Sequence, residues 1–159
     1  MARKYTFEDL VFDVEAMLKA KLNDEIQLVI ADRNDNIELP KIDPDAFFVQ
    51  SMDDRVANYP DYVFIELIDI QSNGLGPMTS KDFQILVMIC ASTFNNTQQV
   101  RMMFRYLQAL EQVFHKYWSS STSLPIKLKI QSLPPQDYLN LNTTKAFKTA
   151  AVIINGGWA

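Results

Sequence analysis

Residues able to do chemistry are sparse in this chain, and their spacing limits what they can do. The 159 residues hold one Cys and one His. Cys90 sits in the apolar run Phe83-Gln84-Ile85-Leu86-Val87-Met88-Ile89-Cys90-Ala91, with no charged residue within seven positions on either side. A reactive thiolate needs a nearby cation or a helix N-terminus, so Cys90 reads as a buried structural thiol. One Cys excludes an intrachain disulfide, and one His excludes a His-rich metal site within a single chain. His115 and Lys116 fall in the last turn of an expected helix, where cations are favoured. His115 therefore reads as a dipole partner rather than a catalytic base.

The carboxylates form no recognisable constellation. Asp32, Asn34 and Asn36 match the first ligand positions of a calcium loop, but Ile37 stands where that loop turns on Gly, and Asp43 where it needs a bidentate Glu. Asp53-Asp54 reads as solvated surface charge. Glu66 and Asp69, three apart in an expected strand, are assigned to opposite faces. Gly74 and Gly76 form a bare Gly-x-Gly, without a third Gly or a following helix to cradle phosphate. No nucleophile elbow of the Gly-x-Ser-x-Gly type is present. The chain is read as a non-enzyme with no cofactor and no metal.

The elements that would position these residues alternate between two periods. Phe7, Leu10, Val11, Val14, Met17, Leu18 and Leu22 share one helical face, and Thr6 with Asp9 approximates a capping box. Ile26–Ala31 reads as a strand from its β-branched content. Residues 32–61 form a long connection, with one short edge strand at Ala46–Val49; Pro40, Pro44 and Pro60 disfavour more. Tyr62–Gln71 and Asp82–Ala91 are strong strands, joined by the long loop Ser72–Lys81. A second helix opens at Asn95-Asn96-Thr97, with the apolar stripe Val100, Met103, Phe104, Leu107, Leu110, Phe114, Tyr117 and Trp118. It ends in the polar run Ser119–Ser123. A half-exposed strand at Ile126–Gln131, a rigid Leu133–Tyr138 connector and a last strand at Lys145–Ile154 complete the order. The expected fold is α+β: one domain over 1–159, a mainly antiparallel sheet with two amphipathic helices packed on it, a long β-hairpin loop, and about a quarter of the residues helical.

Composition and charge narrow the function classes. Hydrophobic residues make up 48% and charged residues 21%, as in ordinary globular domains. No stretch is apolar and long enough to be a transmembrane helix, and no secretory h-region follows Arg3 and Lys4. Net charge is −4, which disfavours nucleic-acid binding; Lys127, Lys129, Lys145 and Lys148 read as solubilising charge that blunts sheet edges. The distribution says more: residues 1–80 carry 16 acids and 7 bases, whereas residues 81–159 carry 3 acids and 8 bases. If these halves reach different surfaces, the molecule is bipolar and suited to head-to-tail contacts.

Size, element order and the lead-in Asn58-Tyr59-Pro60-Asp61-Tyr62-Val63-Phe64-Ile65 give a resemblance. A first helix, a long connection, a hairpin with a long loop, a helix over the sheet and two closing strands together resemble the tail terminator and tail-completion (neck) proteins of tailed bacteriophages. The resemblance implies an α+β subunit of a virion that forms a homo-oligomeric, hexameric ring. Such a ring caps the tail tube protein, ends its polymerisation and meets the neck or connector proteins. DNA only passes through the lumen, no membrane is involved, and assembly takes place in the host cytoplasm. Interface residues are expected at the hairpin tip, Asn73, Gly74, Leu75, Gly76, Pro77, Met78 and Thr79, and at Trp158. The competing readings are a monomeric protein-binding adaptor, another neck or connector ring component, and a small enzyme with a cryptic carboxylate site.

Overall fold

The computed structural model describes residues 5–49, 59–74, 80–92, 98–121, 127–140 and 145–158. Helix α1 (Phe7–Arg33) is one continuous 27-residue rod, about 40 Å long. Thr6 caps it: its Oγ1 accepts from the Asp9 N–H at 3.3 Å, while Asp9 Oδ2 accepts from the Thr6 N–H at 2.9 Å. This reciprocal pair satisfies two of the orphan donors of the first turn. The helix stops at Asn34, which adopts the left-handed conformation (φ 47°) and donates its N–H to the Ile30 carbonyl.

The segment Ile26–Ala31, expected as a strand, is the last third of α1. Its β-branched content is outweighed by phase. Leu18, Leu22, Ile26 and Val29 continue the buried stripe at three- and four-residue steps, and Asn23-Asp24 is too weak a breaker to interrupt it. The two helices, 27 and 23 residues long, therefore take close to a third of the chain rather than a quarter.

The connection after α1 is held from both sides. Ile37, Leu39 and Ile42 are buried. The Asn23 amide grips the Ile42 backbone, donating to its carbonyl and accepting from its N–H, each at 2.8 Å. The Tyr106 hydroxyl donates to the Pro40 carbonyl at 2.8 Å, and burial raises its pKa above the ordinary tyrosine value. Strand β1 (Phe47–Val49) follows and pairs in parallel with β2 (Asp61–Asn73), as the short edge strand expected.

Strands β2 and β3 (Ser80–Ser92) form the antiparallel hairpin. Both strands run further than their apolar runs, so the connection narrows from the ten residues expected to residues 74–79. Helix α2 (Gln99–Ser121) leads to β4 (Lys127–Asn140) and β5 (Lys145–Trp158). The sheet order is β1-β2-β3-β5-β4, antiparallel throughout except at β1. The architecture is α+β, a mainly antiparallel sheet with two helices packed on it.

Both helices lie on one face of that sheet. Phe83 stacks near Trp118 of α2, Ser132 donates to Glu111 of α2, and the Lys81 ammonium lies 5.4 Å from the Phe7 ring of α1. The core between the layers holds Val63, Ile65, Phe83, Ile85, Val87, Ile89, Val152 and Ile154 from the sheet. Leu10, Val14, Leu18, Leu22 and Ile26 face them from α1, with Met103, Leu110, Val113 and Phe114 from α2. The α2 stripe is rotated from the expected one: Val100 and Phe104 are about half exposed, and Tyr106, Ala109 and Val113 are buried instead. Its helix also continues to Ser121, so His115 is exposed six residues before the end rather than in the last turn expected for it.

Two expected connectors are strand. Leu133–Tyr138 belongs to β4, and Pro134-Pro135 sits in a bulge between Leu133 and Gln136. Proline is tolerated there because β4 is an edge strand and the bulge asks for no ladder N–H. Asn155–Trp158 belongs to β5, since Gly156 and Gly157 pair with β3 and β4 like their neighbours.

Candidate interaction surface

The hairpin base and the end of β5 meet at one end of the sheet. Asn73 is the last residue of β2, in register with Ser80. Gly74 follows in the left-handed region (φ 103°), where a side chain would be strained. Leu75, Gly76, Pro77, Met78 and Thr79 lie outside the described residues. Trp158 is the last residue of β5, in register with Lys81, which itself faces Ser72. The backbone thus brings Asn73, Gly74 and Trp158 to one end of neighbouring strands. The start of α1 arrives there too, through Phe7 and Lys81.

The sheet face opposite the helices carries rows of residues that cross four strands. Asp69, Gln84, Asn155 and Lys129 form one row, and the Gln84 amide donates to Asn155 Oδ1 at 2.6 Å. Glu66, Leu86, Ile153 and Gln131 form the next. A bulge between Leu67 and Asp69 inserts one residue into β2. That extra residue puts Glu66 and Asp69 on the same face, correcting the opposite-face reading. Simple alternation could not show it, because a one-residue insertion reverses every later side chain. Asp69 and Lys129 sit at the two ends of their row, about 14 Å apart by strand spacing, and both are exposed.

The sheet order sets three acids of the first half, Asp61, Glu66 and Asp69 of β2, apart from Lys127 and Lys129 of β4, while most other acids of that half lie in α1 and the connection after it. β1 and β2, from the acid-rich half, form one side of the sheet; β4, with Lys127 and Lys129, is the opposite edge. The β4 edge is 14 residues long and has no ladder partner on its outer side among the described residues.

On the helix side, two ion pairs fix α2 to the first half of the chain. Glu25 is fully buried and accepts from Lys116 Nζ at 2.9 and 3.0 Å and from the Tyr117 hydroxyl at 3.2 Å. Arg105 makes a two-pronged contact to Asp35, one N–H reaching Oδ1 at 2.8 Å. Hydrogen bonds from Arg105 and from the Ile37 backbone hold the Asp35 carboxyl down at about 2. In the calcium-loop segment beside it, Ile37 is buried where Gly would be needed. Among the described residues, no group of three or more His, Cys, Asp or Glu side chains could hold a metal ion. No helix among them is long and apolar enough to cross a membrane.

Cys90 lies on the face away from the helices, beside the Tyr62 hydroxyl, with burial pushing its thiol up to about 12. It is inert as a nucleophile at neutral pH. The surface offers Glu66 and Asp69 on the outer part of β2, Lys129 on the β4 edge, and a mixed polar and apolar sheet face. No protein-family model matches the sequence, and a search of curated proteins finds no match.

Proposed function

We propose that the chain is a structural virion subunit that forms a ring, caps the tail tube and ends its polymerisation, joining the tube to the neck. The observation that carries this reading is the placement of charge. The sheet order puts β2, with Glu66 and Asp69, toward one side and Lys129 of β4 at the other. A subunit with complementary opposite sides suits heterologous, head-to-tail association, which closes into a ring when the rotation closes. The α+β class is the one the tail terminator resemblance implies. A net charge of −4 also suits a lumen that lets DNA pass, since few phosphate counterions would be released on contact.

The test is capping. Purified protein is added to tail tube protein during polymerisation, and tube lengths and ends are scored by electron microscopy. The expected result is arrested elongation, with a ring at one end of each tube. Tubes that lengthen at the unperturbed rate, with bare ends at saturating protein, would overturn the reading.

A further inference from the structure

The geometry points to the junction between copies: β4 of one chain adds to the outer part of β2 of the next, continuing the sheet. The inference rests on the ring reading for the existence of a neighbour, and it names the strands, their sense and their register.

Strand sense comes first. β2, β3, β5 and β4 alternate in direction, so β4 runs antiparallel to β2. Copies related by rotation about an axis along the strands keep that sense. The junction is then antiparallel, the geometry in which neighbouring strands exchange well-aligned hydrogen bonds.

Availability comes second. Among the described residues, β1 covers the outer edge of β2 only at Val63, Phe64 and Ile65. Beyond it, Ile68 and Ile70 are 43% and 52% exposed, and Asp69, Gln71 and Ser72 are exposed as well. The β4 edge mirrors this division. Its first part, Lys127–Gln131, pairs regularly with β5. The Pro134-Pro135 bulge falls where the matching part of β2 already holds β1. Proline cannot donate to a ladder, so β4 is suited to pair along its first part, where no described residue covers the β2 edge.

Register and charge come third. The row Asp69–Gln84–Asn155–Lys129 continues into the next copy with Lys129 beside that copy's Asp69. On the helix side of the sheet, the row Ile70–Phe83–Gly156–Leu128 continues with half-buried Leu128 beside the exposed Ile70. One unstaggered alignment thus pairs opposite charges on one face and apolar side chains on the other. Cross-strand pairs of both kinds are the ones that stabilise a sheet. Open edges invite such addition, and Ile70 left exposed in the single chain is accounted for by it.

Charge exchange between the two edges tests the junction. The full-length native chain, Asp69→Lys, Lys129→Asp and the double variant Asp69→Lys/Lys129→Asp are compared by sedimentation and electron microscopy, with and without tail tubes. Ile70→Lys serves as an apolar counterpart, and circular dichroism checks folding; all three positions are exposed. The expected result is self-association weakened at least tenfold by each single reversal and by Ile70→Lys. The double variant, whose charges again match, returns to within a few-fold of native. Native-like rings from both single reversals, or a Lys129→Asp chain that associates more strongly, would overturn the junction and leave the ring intact. Association sensitive to exchange that yields open strings supports the junction and overturns ring closure. A native chain that stays monomeric in every condition overturns both.

Discussion

Removing Lys116 should expose how much the buried Glu25 carboxylate depends on its partner. Glu25 is 0% exposed and takes two contacts from Lys116 and one from Tyr117. The Lys21 ammonium lies 5.0 Å from the Tyr117 ring and adds cationic character to the site. Lys116→Met leaves the buried carboxylate with the phenol as its remaining donor in that cluster. One-sided loss of a buried pair costs about 3–5 kcal/mol. Lys116 is 46% exposed, so water already reaches the ammonium, and the pair is worth less than a fully desolvated one. The expected loss is therefore about 2–3 kcal/mol. With a urea slope of about 1–3 kcal/mol per molar, the unfolding midpoint falls by about 0.7–3 M. The double variant Glu25→Leu/Lys116→Met removes both charges and should recover most of the loss, because an apolar replacement of such a pair is often neutral. A Lys116→Met shift below about 0.5 kcal/mol, or a double variant no more stable than the single, would show that the Glu25 carboxylate does not depend on Lys116.

Other expectations concern single groups. Asp35 has a folded pKa of about 2, below the ordinary carboxyl value of 3.8, held down by Arg105 and the Ile37 backbone. Its stabilising contribution is complete above pH 4, falls between about 4 and 2, and is lost below the folded value. Carboxyl NMR should show Asp35 titrating near 2 in the native chain and higher in Arg105→Met, where the Ile37 N–H still keeps it below the ordinary value; a native midpoint near 4 contradicts the pairing. Cys90 should resist a thiol-reactive probe at pH 8 in the folded chain and react fully in urea, whereas rapid native labelling would contradict its burial beside Tyr62. A Cβ at Gly157 would meet the Asp82 carboxylate and the Lys81 carbonyl oxygen, the latter at 2.8 Å. Gly157→Ala should cost about 1–3 kcal/mol, lowering Tm by about 2–4 °C per kcal/mol; an unchanged Tm would show that β5 is not held so closely against β3.

The fold class, the hairpin and the short edge strand were legible because their signals are local and repeated. Apolar alternation marks β3, where Phe83, Ile85, Val87 and Ile89 face the core. Capping chemistry marks the start of α1. What was missed depended on context. Ile26–Ala31 is β-branched but continues a helical stripe, and packing against α2 and the sheet outweighed propensity. Pro134-Pro135 reads as a connector until β4 is known to be an edge strand with a bulge. The common face of Glu66 and Asp69 hangs on one inserted residue in β2. The charge asymmetry of the halves was visible in the sequence, but only the strand order set Glu66 and Asp69 of β2 apart from Lys129 of β4. Of the expected contact residues, the structure brings Asn73, Gly74 and Trp158 to one end of the sheet, and Leu75–Thr79 lie outside the described residues.

Ring capping is checked by the mass and symmetry of the native chain at tube ends. Purified protein is mixed with preformed tail tubes, and bound particles are averaged by electron microscopy while free protein is weighed by sedimentation. A closed six-fold ring built from this chain is expected at one end of each tube. Monomers bound along the tube walls, or no bound protein at any concentration, would contradict it.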